Sequence, residues 1–209
     1  MTNRIPFLAF SLVCVILAGV LVVATPASAQ SLQDKIDQGL RKRSITIPPP
    51  QPDDPKAKEQ KQFIEGLRKR SIVVEPREPV APAEREKLAV IAKERPAIDL
   101  QIFFDYDSAE LGPKAQPTLI ALGNVLSKPD FKGTVFLING HTDARGSAEY
   151  NQQLSERRAA AVRRALIEQF KLAPDTLIAA GFGKEQLKVP GQPFAGENRR
   201  VEIVNTEQK

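Results

Sequence analysis

The sequence predicts an α+β fold, a two-layer α/β sandwich of order β-α-β-α-β-β over residues 98–209. Three observations predict it. Ile98, Leu100, Ile102 and Phe104 alternate with Asp99, Gln101 and Phe103, the period-two pattern of a strand with one predominantly apolar face. Residues 134–139, reading TVFLIN, are apolar nearly throughout, as a central strand covered on both sides would be. Two segments with helical spacing, 114–127 and 148–170, fall between the strand runs and can pack as one layer on a mixed sheet.

The elements before this domain read as delivery and tethering. Arg4 precedes an apolar run, Phe7 to Ala24, and the small residues Ala27-Ser28-Ala29 follow it. This is the pattern of an export signal cleaved after Ala29. The run approaches the roughly 20 residues that span a bilayer, so a retained segment 1–29 would be an inner-membrane anchor. The single cysteine, Cys14, lies inside the run. A disulfide framework and a cysteine metal site are therefore excluded. Leu12-Val13 before it and Val15 after it do not provide the small neighbours of a lipidated cysteine.

Seventeen prolines, crowded into the first half, predict a largely disordered, extended tether over 30–97. Leu32, Ile36 and Leu40 recur at spacing four, which gives a short helix over Ser31 to Arg43. A seven-residue repeat stands out. GLRKRSI occurs at 39–45 and again at 66–72, each copy preceded by an apolar residue (Ile36; Phe63 or Ile64) and followed by prolines. Two short copies cannot stack as a solenoid. They are either a duplicated solvated linker or a docking motif for an envelope protein or an anionic lipid surface. Residues 83–95 have helical spacing, and Pro96 stops them.

Within the domain, Asp105-Tyr106-Asp107-Ser108 is turn chemistry after the first strand. Leu119, Leu122 and Leu126 line one side of the first helix, and Pro129 stops it. Pro174-Asp175-Thr176 turns into a third strand, Leu177 to Ala180, which Gly181 and Gly183 break. Arg200 to Asn205 is the last strand. At about 100° per residue from Leu154, Ala161, Val162, Ala165 and Leu166 spread over the apolar half of the long helix. Arg157 and Arg164 fall about 60° and 80° to the other, polar side of Leu154, whereas Asn151 and Arg158 fall within the apolar half, about 60° and 40° towards Val162 and Leu166, near the helix start. A charge placed there needs a partner.

If the first two strands run in the same direction, Asp105 and Asp143 both sit at carboxyl ends of strands, beside the start of the long helix. Two carboxylates, an arginine, an amide and free helix N–H groups suit a zwitterion. They equally suit a structural ion pair between Asp143 and Arg158. Catalytic arrangements are poorly supported. Ser147, His141 and Asp143 are sequence neighbours without a nucleophile elbow. Asp105 with Asp143 as a glycosidase pair lacks an aromatic-rich groove, since the chain has no Trp. Asp105-x-Asp107 lacks the Gly and Glu of a calcium loop.

Asn139-Gly-His-Thr-Asp143-x-x-Gly146-x-x-x-Tyr150-Asn151-x-x-Leu154-Ser155-x-x-Arg158-Ala159-x-x-Val162 resembles the signature of the OmpA-like C-terminal domain. The same domain occurs in peptidoglycan-associated lipoproteins and flagellar stator B subunits. Phe104-Asp105, Gly181-x-Gly183-Lys184-Glu185 and Asn198-Arg199-Arg200-Val201 extend the resemblance over roughly 98–205. It implies a non-enzymatic module that binds peptidoglycan through the diaminopimelate of the peptide stem, without cofactor or metal. It assigns the ligand to Asp143 and Arg158, with Asp105, Asn151, Leu154, Phe104 and Thr142 at further pocket positions. It also implies a Gram-negative periplasmic location at the cell wall, outer-membrane associated or anchored through 1–29. The first apolar run has no acidic residue, unlike a proton-conducting stator subunit. The formal net charge of +5 suits an anionic polymer. Nucleic acid is not expected as a partner outside the cytoplasm, and a homodimer stays open.

Overall fold

The computed structural model describes residues 27–42, 54–72, 79–104 and 108–207. The expected export segment lies outside these except for its last residues, which open a helix. Asp105 also lies outside them. In chain order the elements are α1 (Ala27–Arg41), α2 (Pro55–Arg70), α3 (Pro82–Glu94), β1 (Ala97–Leu100), α4 (Gln116–Leu126), β2 (Phe136–Gly140), α5 (Ala148–Phe170), β3 (Leu177–Gly181) and β4 (Val201–Asn205). Among the described residues no helix is long and apolar enough to cross a membrane.

From β1 onward this is the β-α-β-α-β-β order that the periodicities dictate. The sheet order is β1-β4-β2-β3. β2 and β3 are parallel, and β4 runs antiparallel to both β1 and β2. β1 and β2 therefore share a direction, with β4 inserted between them. β1 leaves the ladder after Leu100, earlier than the alternation to Phe104 predicts. The alternation still governs burial, because Ile102 stays buried while Phe103 is 57% exposed.

α4 and α5 cover one face, where Leu119, Leu122, Val162 and Leu166 meet Phe136, Ile138, Leu177, Val201 and Ile203. The stretch expected as an extended tether differs from that expectation where it is described. α1 adds Ile36 and Leu40 to the same face. α2 and α3 cover the opposite face, packing Ile64, Leu67, Leu88 and Ile91 against Leu137, Ile178, Val204 and Phe182. The reason lies in the strands. A strand apolar on both faces needs helices on both, and the helices from before the domain supply the second layer.

α5 approaches the strand ends very closely. A Cβ on Gly140 would lie 2.3 Å from the Ser155 carbonyl oxygen, and one on Gly181 would lie 2.5 Å from Ser155 Oγ. Glycine at both positions lets the first turns of α5 rest on the carboxyl ends of β2 and β3.

Candidate functional site

The candidate site begins where β2 ends. His141 N–H donates to the Arg200 carbonyl, Thr142 N–H to the Gly183 carbonyl, and Ala144 N–H to the Pro193 carbonyl. These bonds fix the His-Thr-Asp segment between the start of β4 and the long β3–β4 loop. Asn198 organises that loop. Its fully buried side chain accepts from Val189 N–H and donates to the carbonyls of Gln192 and Pro193.

Asp143 Oδ1 accepts from the Arg145 N–H, and Oδ2 accepts from Arg199 Nη1 at 2.8 Å. The ion pair of Asp143 is thus made with Arg199, from the β3–β4 loop, not with Arg158. Asp143 is only 7% exposed. Asn151 is buried, and its Nδ2 donates to the carbonyls of Arg145 (2.6 Å) and Ser147 (2.9 Å). Its amide therefore secures the turn between β2 and α5. Gly146 closes that turn at φ 86°, a conformation that favours glycine. Ser147 caps α5 by accepting from Tyr150 N–H. Leu154 is buried beneath the helix start.

Arg158 is half-buried and leaves the helix on the site's side. Its Nε donates to the Ser108 carbonyl at 3.0 Å, and its guanidinium lies over the Phe104 ring, 4.9 Å from the centroid. Arg157, its neighbour, is exposed. Arg158 and Phe104 line a cleft of about 260 Å³ with Gln101, His141, Arg199 and Arg200. Asp143 stands one bond behind this lining, through Arg199. The structure brings together Phe104, Arg158 and the Asp143–Arg199 pair. It places Asn151, Leu154 and Thr142 as buried supports around them.

Three guanidinium groups line the cleft. Arg158, Arg199 and Arg200 reach it, and Arg200 is held by Asp99 at 2.7 Å. Burial opposes ionisation of Asp99, but Lys188 and Arg200 outweigh it and hold the carboxyl below its ordinary range. His141 is buried and stacked on Phe182, with ring centroids 5.5 Å apart. Burial lowers its pKa and the nearby Glu202 only partly offsets this, so the imidazole is neutral near pH 7. Among the described residues, both His141 ring nitrogens and Thr142 Oγ1 find no hydrogen-bond partner. No cluster of ligands that could hold a metal ion occurs among the described residues. Such a cleft can receive a carboxylate through charge-assisted bonds from guanidinium groups, over an aromatic floor. Arg199 and Arg200 belong to the Asn-Arg-Arg-Val motif, and the sequence reading places neither of them at the site. Their adjacency to a strand start was the available signal.

Residues 103–200 match the OmpA family, and this part of the chain is an OmpA family domain. Over 106 residues the chain is 42% identical to the peptidoglycan-associated lipoprotein of Pseudomonas aeruginosa, covering 48% of this chain and 59% of that protein. It is 31% identical over 107 residues to outer membrane porin F of the same organism, covering 50% of this chain and 30% of the porin. The solved peptidoglycan-associated lipoprotein of Burkholderia pseudomallei aligns at 32% identity over 53% of this chain and 89% of that chain, with a TM-score of 0.43. The chain spans about three-fifths of the length of that Pseudomonas lipoprotein.

Proposed function

We propose that this domain binds peptidoglycan non-covalently through the peptide stem and anchors the chain to the cell wall in the periplasm. The observation that carries the proposal is the arginine-lined cleft at the start of α5, backed by the Asp143–Arg199 pair. The ligand group is the zwitterionic end of diaminopimelate. Its carboxylate is received by Arg158 and Arg199, which present fork-shaped donors. Its ammonium is received by Asp143. A carboxylate has about four acceptor sites, and the Arg145 N–H and Arg199 use two of those on Asp143. Asp105, next to Phe104, is proposed as the second carboxylate. Thr142, Asn151 and Leu154 hold the turn and the helix start in register. The module binds without catalysing a reaction.

Co-sedimentation with purified sacculi tests this. Arg158→Ala and Asp143→Ala are expected to abolish it, since truncating one partner of a buried hydrogen-bonded charge pair costs about 2–5 kcal/mol. Unchanged sedimentation of folded variants would contradict the proposal. Release of soluble muropeptides by the wild-type chain would replace it with an enzymatic reading. N-terminal sequencing assigns the tether's far end. A start at Gln30 fits release into the periplasm, and a retained start fits an inner-membrane anchor.

A further inference from the structure

The described parts of the two GLRKRSI copies, residues 39–42 and 66–72, sit in matching places on opposite faces of the sheet. In the first copy, Leu40 is 0% exposed within the cluster formed with α4 and α5. In the second, Leu67 is 3% exposed within the cluster on the other face. The next residue in each copy is an arginine, and each reaches an aspartate distant in sequence. Arg41 Nη2 donates to Asp130 Oδ2 at 2.8 Å, and Arg68 Nη2 lies 2.8 Å from Asp175 Oδ2.

The two aspartates are equivalent as well. Asp130 is the middle residue of the short 3-10 turn Pro129–Phe131, which leads into β2. Asp175 is the middle residue of the short 3-10 turn Pro174–Thr176, which leads into β3. Each arginine is steadied from its own helix by an acidic residue one turn earlier, Asp37 for Arg41 and Glu65 for Arg68. Arg41 also lies over the Phe131 ring at 5.0 Å. The second copy is tied once more, because the Ser71 carbonyl accepts from the buried Arg163 Nη2 at 2.6 Å.

We propose that the receptor of both repeats is this chain's own sheet domain: each copy is a clasp that seats its leucine under one face and its arginine on a Pro-Asp turn. Identical sequence in both copies then follows from a common task. Each copy must present one apolar and one cationic side chain, at consecutive helical positions, to the turn before a parallel strand, β2 for the first copy and β3 for the second. The repeats dock the region before the domain against the sheet edge opposite the cleft, leaving the cleft open.

Hydrogen exchange on the full chain, read separately over 27–42 and 55–72, tests the clasp. Wild-type amides in both segments are expected to be protected well beyond unstructured-chain rates. Arg41→Asp should speed exchange of 27–42 by about 1.4- to fivefold, and Arg68→Asp should do the same for 55–72, the range for a partly exposed ion pair. Without denaturant, where local opening carries exchange, each effect should stay on its own face. The reversed pairs, Arg41→Asp with Asp130→Arg and Arg68→Asp with Asp175→Arg, should restore protection. Leu40→Ala and Leu67→Ala give an independent reading through the apolar half of each clasp, with β2 and β3 amides as the folding control. Unprotected segments in the wild-type chain, or protection gained only on adding phosphatidylglycerol vesicles, would overturn the proposal. Indifference to both the charge and the leucine variants would overturn it too. So would cross-links joining repeat and turn between two differently labelled copies.

Discussion

His141 is the only histidine in the chain, and burial sets its charge. Its folded pKa lies below the ordinary 6.5 because desolvation disfavours the imidazolium. The unfolded chain therefore takes up a proton first as pH falls. Stability is fully present above about pH 6.5 and is lost as pH falls through that value towards the folded pKa, at no more than about 1.4 kcal/mol per pH unit. Urea midpoints at pH 7.5, 6.5 and 5.5 should decline for the wild type and stay nearly level for His141→Gln; equal slopes would refute the account. The carboxylates Asp99 and Glu202, both held low, add their own losses only at more acid pH. Arginine placement shows how far single residues were legible. On the α5 wheel Arg158 falls on the flank of Leu154 that carries Val162 and Leu166, and Arg157 falls on the other flank, which matches their half-buried and exposed positions. Leu154, however, lies at one edge of the buried arc. Ser155, Leu166 and Ala159 are nearer its middle, and the arc extends to Arg163, which is 1% exposed. Its guanidinium donates to the carbonyls of Leu177, Ser71 and Pro174. Backbone acceptors leave no mark in a side-chain pattern, so Arg163 was invisible to it. Arg199 was missed for another reason: its bond to Asp143 joins residues 56 apart in sequence.

Helices inside the domain were legible because their signals are local. Ser147 caps α5 as its sequence position promises, and the helix runs over the residues that the periodicity marks. Before the domain, the helical spacing over 31–43 and 83–95 was legible as α1 and α3, whereas proline obscured where α2 and α3 begin and that all three helices pack on the sheet. Pro55 and Pro82 are the first residues of α2 and α3, where the missing N–H costs nothing and the fixed φ suits the helix. Counted as composition they read as breakers; placed, they are starts. The strand order, with β4 between β1 and β2, depends on pairing between distant segments and has no local signature. The repeats offer a test at this scale, because identical glycines meet different surroundings. A Cβ on Gly66 would touch nothing within 4 Å, whereas one on Gly39 would lie 3.0 Å from Ile98 Cβ, which β1 holds in place. Gly66→Ala should therefore stabilise the chain by roughly 0.5–1 kcal/mol through helix propensity. Gly39→Ala should lose that gain to the clash and lower the unfolding midpoint. Thermal unfolding of the two variants checks this; equal shifts would show that α1 does not rest on β1 as described.

The whole molecule is tied together through its central strands. Leu137 and Ile138 are consecutive in β2, yet Leu137 packs with α2 and α3 while Ile138 packs with α1, α4 and α5. The two apolar clusters are therefore two sides of one strand, and neither helical layer can leave without uncovering the sheet. Departure of α2 and α3 would return Ile64, Leu67, Leu88 and Ile91 to water and uncover Leu137, Ile178, Phe182 and Val204. Large apolar side chains are worth about 1.5–3 kcal/mol each when fully buried. The set is comparable with the roughly 5–15 kcal/mol that holds an ordinary domain folded. A layer of that weight should not melt ahead of the sheet. Calorimetry of the full chain should show one transition over the region 27–207, with calorimetric and van't Hoff enthalpies in agreement. Amides of α2 should then lose protection together with those of β2 as denaturant rises. An early, separate transition confined to α1–α3 would mean that the region before the domain is an independent tether. A single transition that both Leu40→Ala and Leu67→Ala move to lower temperature would mean that the OmpA family domain and the helices before it fold as one cooperative body.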